Sequence, residues 1–198
     1  EKKLLASDQG EVQFTKNGLS GIPVFQVSRY AVRALDAGKK VRAVLNLMPM
    51  FDEAQFLTFL KDRAEKNSYK TGEQFLTGLF PAKTSACVLE RSGLGKSRKK
   101  AGDWTDAEFA KLTRTVTQFE TEITGSGDFT QAQVCSGGAD TREVNSDTME
   151  SRKVPGLYLA GELLDVDGAC GGYNLQWAWS SGWLAGMSAA KAGEEKTL

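Results

Sequence analysis

The chain has 198 residues, 40% of them hydrophobic and 25% charged, with 25 basic and 25 acidic side chains and a formal net charge of zero. That length suits one large domain or two small ones, and the even charge argues against broad electrostatic capture of nucleic acid or an anionic membrane. Histidine is absent, which excludes a Ser-His-Asp triad, a Cys-His pair and every His-ligated metal site.

The N-terminal residues Glu1 to Asp8 hold no apolar run long enough for a signal peptide. The chain does not open on Met, which we read as the mark of a fragment or a processed product. Glu11 to Thr15 alternates and breaks at Asn17-Gly18, predicting a strand that ends in a turn. Pro23 suits the first turn of a helix to about Ala37, stopped by Gly38. Lys40 to Leu47 alternates with Val41, Ala43, Leu45 and Leu47 on one face, as a strand does. From Asp52, a candidate N-cap, the text is helical to about Arg91, with breaks near Gly72 and Pro81.

Gly93 to Gly102 is basic and glycine-rich, and Gly95-Lys96-Ser97 invites a phosphate-loop reading. That motif needs a glycine where this chain has Glu90, and a preceding strand where it has a helix. The expectation is an exposed loop that binds neither ATP nor nucleic acid. Asp103 or Thr105 then caps a helix to about Thr113. Strands are expected at Val116–Thr124 and Phe129–Cys135, joined through Gly125-Ser126-Gly127.

The three cysteines, Cys87, Cys135 and Cys170, are odd in number and far apart, so they form no zinc ribbon, CxxC pair or disulfide framework. That usage fits a reducing cytoplasm. Gly168 to Ala190 carries no charge, but its five glycines, Asn174, Gln176 and serines at 180, 181 and 188 argue against a lipid-facing span. It reads as a buried helix with a glycine-rich entry. Asp165-Val166-Asp167-Gly168 mimics a calcium loop without the further oxygen ligands, so no metal is assigned.

The chemistry concentrates between Gly156 and Gly186. Leu157-Tyr158-Leu159-Ala160, bounded by glycines, reads as a strand buried on both faces of a parallel sheet. Glu162 would stand at its carboxyl end, where ligands of open α/β sheets bind. Gly171-Gly172 opens a helix from about Tyr173 to Lys191, whose positive end can face an electron-rich ligand. Leu175, Trp179, Trp183 and Met187 recur on one side of it, and Trp177 and Leu184 lie opposite. A ligand-free core helix and a solvated strand-end carboxylate explain the same pattern.

This block resembles the C-terminal signature of a family of bacterial FAD-dependent oxidoreductases, the aminoacetone-oxidase-like or bile-acid-reductase-like flavoproteins, related to the two-dinucleotide-binding-domain group. Gln131–Glu162 resembles the ribbon that leads into that signature, and Gly10–Ser28 the start of the family's inserted domain. The resemblance implies an α+β inserted substrate-side domain over residues 1–127, followed at 128–198 by the C-terminal strand–helix portion of an α/β dinucleotide-binding (FAD) fold. It implies that Gly161-Glu162 brings a carboxylate to the ribityl chain, where the wider group has Gly-Asp. It implies that the backbone of Gly171, Gly172, Tyr173, Asn174 and Leu175 faces the flavin pyrimidine edge, and that Gly137 and Gly138 line the cofactor cleft. No residue is assigned as catalytic acid or base.

The family's N-terminal G-x-G-x-x-G turn, which holds the FAD pyrophosphate, has no match here. The expectation is therefore a C-terminal fragment, inactive by itself, of a cytoplasmic FAD-dependent oxidoreductase. Such an enzyme passes hydride between flavin and a small-molecule substrate, with NAD(P)H a candidate second cofactor. The expected partners include neither nucleic acid nor membrane, but do include another copy of the chain or the complementary N-terminal fragment. The alternative is a stand-alone, non-catalytic binding module that retains the fold remnant.

Overall fold

A computed structural model describes residues 3–95 and 98–195. The chain divides into two compact units, one formed by Lys40–Ile123 and the other by Glu1–Lys39 together with Thr124–Leu198. The first 39 residues thus cluster with the C-terminal segment, not with the helices that follow them.

The unit over 40–123 is helical around one antiparallel strand pair. β3 (Val41–Leu45) pairs with β4 (Phe119–Ile123), with Val41 opposite Ile123 and Leu45 opposite Phe119. Alternation in β3 points Val41 inward and Arg42 and Val44 outward. Between the strands run α2 (Glu53–Lys66), α3 (Gly72–Leu76), α4 (Ala82–Ser92) and α5 (Asp106–Thr117). Their starts are set by local chemistry: Asp52, Thr71 and Thr105 each close a reciprocal capping box with Gln55, Gln74 and Glu108. Gly93, in the left-handed region, ends α4. Phe56, Leu60, Phe75, Leu76, Val88 and Leu112 are buried at the centre, with Trp104 edge-on to Phe75 and Phe109.

The basic loop has structural duties in this unit. The Arg91 guanidinium lies over the Phe119 ring and donates to the Glu120 carbonyl, Lys99 pairs with Glu108 at 2.9 Å, and Lys100 bridges to Thr71. Lys96 and Ser97, like Glu1 and Lys2, lie outside the described residues.

In the other unit a short hairpin, β1 (Gln13–Phe14) with β2 (Leu19–Ser20), leads into α1 (Ile22–Asp36), which has Pro23 in its first turn. The C-terminal part is mostly irregular until α6 (Tyr173–Glu195). Two strand expectations change here. Phe129–Cys135 is no strand: Phe129–Gln131 is a 3-10 turn capped by Asp128, and β4 takes β3 as its partner.

Leu157–Ala160, expected inside a parallel sheet, pairs antiparallel with the segment just before it. Tyr158 bridges to Glu150, flanked by Ser151 N–H to Leu157 O at 2.7 Å and Leu159 N–H to Met149 O at 3.0 Å. Leu157 is exposed. A strand inside a parallel sheet has parallel neighbours and helices over both faces, and among the described residues no parallel strand pairs with this one.

The core of this unit is small: Val144, Met149, Leu164 and Ala185, with Tyr158, Trp177 and Leu184 against it. Met149 is the non-glycine residue of the described set with positive φ, at 63°. α6 meets this core with one face only. Leu175, Trp179 and Trp183 are 60%, 67% and 68% exposed, and Met187 is exposed as well, so the helix expected to be buried all round is covered on the Trp177–Ser181–Leu184 side alone. Among the described residues no helix is long and apolar enough to cross a membrane.

Candidate functional site

Within one unit, two glycine-bearing segments pair with each other, and one of them is hydrogen-bonded to α6, the helix that a third opens. The ribbon 135–139 runs beside the turn 161–165. Ala139 N–H donates to Leu163 O at 2.8 Å, Asp165 N–H to Ala139 O at 2.9 Å, and Cys135 N–H to Glu162 Oε1 at 2.6 Å. Gly138, with φ at 144°, backs directly onto this turn. A Cβ there would meet Leu163 O at 2.6 Å and Leu164 C at 2.8 Å. Its place is thus a close backbone approach, whereas Gly137 (φ 109°) has open space where a side chain would be.

Gly161 (φ 67°) turns the chain into a 3-10 turn, Gly161–Leu163. Glu162 projects from it, exposed, one carboxylate oxygen holding Cys135 N–H. Oε2 has no partner among the described residues. Expected at the carboxyl end of a strand, Glu162 lies instead inside the 3-10 turn that follows the extended residue Ala160.

Gly171 and Gly172 (φ 118° and 99°) carry the chain into α6, and a Cβ at either would meet nothing within 4 Å. The helix begins with Gln176 N–H to Gly172 O at 2.9 Å. Asn174 closes the preceding loop on itself: its Oδ1 accepts from Gly168 N–H at 2.8 Å and its Nδ2 donates to Gly168 O at 3.3 Å. Tyr173 and Leu175 turn their side chains to solvent, 65% and 60% exposed.

A charged network, unforeseen from the sequence, braces the ribbon. Arg29 and Arg33, one turn apart on α1, both reach Asp167, at 3.5 and 3.7 Å, and Arg33 also faces Asp165 at 3.9 Å. Arg33 donates to Ser136 Oγ at 2.8 Å, and that hydroxyl donates to Asp167 Oδ2 at 3.0 Å. Two positive and two negative groups balance, so the network braces without attracting an ion. The i, i+4 spacing of the arginines was visible, but their partners lie more than a hundred residues away in sequence. Asp140, which opens the next 3-10 turn, is held at about 2 by the hydrogen-bonded Arg142 guanidinium and the Arg142 N–H.

A hydroxyl-rich ligand could donate to Glu162, and the open Gly171–Gly172 backbone with the positive end of a 23-residue helix suits an electron-rich ring edge. These residues fit a dinucleotide cofactor such as FAD.

Residues 95–188 match the Rossmann domain of HI0933-like proteins, and residues 1–134 match their barrel and H2TH domain. The chain is 44% identical over 190 residues to a 3-dehydro-bile acid delta(4,6)-reductase of Clostridium scindens, covering 96% of this chain and 46% of that protein. It is 36% identical over 170 residues to a ribosomal RNA dihydrouridine synthase of Escherichia coli K12, covering 86% of this chain and 40% of the other. A Haemophilus influenzae protein of the same name is 32% identical over 182 residues, covering 91% and 42%. The chain thus spans less than half the length of these relatives. With the barrel and H2TH match alone extending over two thirds of its residues, the chain belongs to the HI0933-like family.

Proposed function

We propose that the chain is the substrate-side and cofactor-closing part of an FAD-dependent oxidoreductase, divided at about 127/128 between those two tasks. The observation that carries this reading is Glu162: an exposed carboxylate with one free oxygen, on a turn hydrogen-bonded to the helix that Gly171-Gly172 opens. Glu162 accepts a ribityl hydroxyl, and the backbone from Gly171 to Leu175 faces the pyrimidine edge. Gly137 lines the cleft, while Gly138 holds the ribbon against the turn behind it. Bound FAD supplies the hydride chemistry, and the protein's part is to hold and orient it. NAD(P)H is the proposed source of reducing equivalents, and the cytoplasm the proposed location.

The substrate class is a small organic molecule, supported by the higher identity to the bile-acid reductase than to the two RNA-modifying enzymes and by a net charge of zero. The exposed α6 stripe is covered by the complementary part of the dinucleotide fold or by a second copy.

The test uses the protein expressed from its whole open reading frame. Glu162→Ala is expected to weaken FAD retention about ten- to a hundredfold, as loss of a hydrogen bond to a charged acceptor costs about 1.5–3 kcal/mol. Asp165→Ala, which loses only a long ion pair, is expected to do less. Equal FAD occupancy in both variants would remove Glu162 from the site. Turnover with a delta(4,6) 3-dehydro-bile acid, and none with unmodified ribosomal RNA, supports the substrate class; the reverse overturns it. Absence of any flavin binding returns the chain to the non-catalytic module.

A further inference from the structure

Gly161 has both of its polar backbone groups taken by side chains of one helix. Its N–H donates to Ser181 Oγ at 2.9 Å, and its C=O accepts from Trp177 Nε1 at 3.0 Å. The Ser181 hydroxyl donates in turn to Trp177 O at 2.6 Å, so its single proton is committed and a lone pair is aimed at Gly161. Ser181 is 2% exposed, in the face of α6 that also carries Leu184 and Ala185. A buried hydroxyl among apolar neighbours is costly unless it is paired, and this one is paired on both sides.

Packing alone does not demand the arrangement. A Cβ on Gly161 would meet Ala178 Cβ only at an ordinary 3.6 Å, and what requires glycine is the left-handed φ. The two hydrogen bonds fix that conformation, and the next side chain along the chain is Glu162.

We propose that Ser181 and Trp177 are positioning residues that hold the Gly161 turn, and through it aim the Glu162 carboxylate at the cofactor. This rests on the flavin reading above. Glu162 is then set from two directions: its backbone by α6, and its Oε1 by Cys135 N–H. Trp177 and Ser181 are one turn apart, so a single rigid element makes both contacts, and the aim of Glu162 follows the seating of α6.

The test is a double-mutant cycle on FAD affinity, read by flavin fluorescence in the protein from its whole open reading frame, with thermal unfolding of the flavin-free form alongside. Ser181→Ala is expected to weaken FAD binding about tenfold, and Ser181→Thr, which keeps the hydroxyl, to restore most of it. Trp177→Phe, which keeps an aromatic side chain but loses the indole N–H together with the five-membered ring, is expected to act in the same direction. In a Glu162→Ala background, Ser181→Ala is expected to have no further effect, because it acts through that carboxylate. Additive losses, or a lowered melting temperature with unchanged FAD affinity, would make the clamp a packing feature only and overturn the inference while the flavin reading stands. If Glu162→Ala itself leaves FAD affinity unchanged, Glu162 leaves the site and the inference falls, while the flavin reading falls only if no FAD binds at all.

Discussion

Gly137 and Gly138 are adjacent, and both have positive φ, yet different forces constrain them. At Gly137 a methyl group would enter open space, so the cost of alanine is backbone strain of about 1–3 kcal/mol. At Gly138 the same methyl would also press on the Leu163 carbonyl and the Leu164 carbonyl carbon. Gly138→Ala is therefore expected to destabilise the protein by at least about 1 kcal/mol more than Gly137→Ala, measured as the difference in urea unfolding free energy; equal costs would show that the ribbon shifts freely. Asp140 offers a second check at this scale. Its carboxyl falls from the ordinary 3.8 to about 2 because Arg142 binds the charged form. A lowered native value means that the contribution is present above the unfolded value and fades as pH falls from about 4 through 2. Carboxyl-detected NMR is expected to find the Asp140 midpoint near 2, and Arg142→Ala to return it toward 3.8.

At the scale of elements, helix starts were legible because the chemistry that sets them is local. Asp52 and Thr105 cap α2 and α5 through partners three residues away, and Glu108, held at about 2 by the Thr105 N–H and Lys99, also favours the positive end of α5. Thr105→Ala is expected to cost about 1 kcal/mol in chemical unfolding, with the loss confined to the unit over 40–123. Strands were less legible. Alternation identified β3 and β4, but their pairing with each other spans the whole helical segment. Leu157–Ala160 shows the opposite error: an apolar run reads as doubly buried, while the segment available to pair with it is the local ribbon at 149–151.

At the scale of the molecule, the exposed face of α6 is the dominant feature. Leu175, Trp179, Trp183 and Met187 are worth about 6–12 kcal/mol when covered, at about 1.5–3 per large side chain. That compares with about 5–15 kcal/mol for the net stability of a whole protein. A large exposed apolar patch marks a surface that meets a partner. The purified 198-residue chain is expected to self-associate and to bind an environment-sensitive hydrophobic dye, by light scattering and fluorescence, and Trp179→Glu with Trp183→Glu to reduce both. A monomer that binds no dye would show that this face needs no cover.

The sequence by itself determined the chemistry that acts over short range: the capped helices, the glycines at sharp turns, and the Gly156–Gly186 block whose resemblance led to the family. It also separated the two faces of α6, since the 3.6-residue period alone puts Trp177 and Leu184 opposite Trp179 and Trp183. Which of those faces is covered was decided only by the tertiary structure. So were the tie from Arg33 to Ser136, the antiparallel pairing of Tyr158, and the clamp of Ser181 and Trp177 on Gly161. The physical reason is that burial and hydrogen bonding between distant segments depend on which surfaces the folded chain brings together, and no periodicity in the sequence encodes that choice.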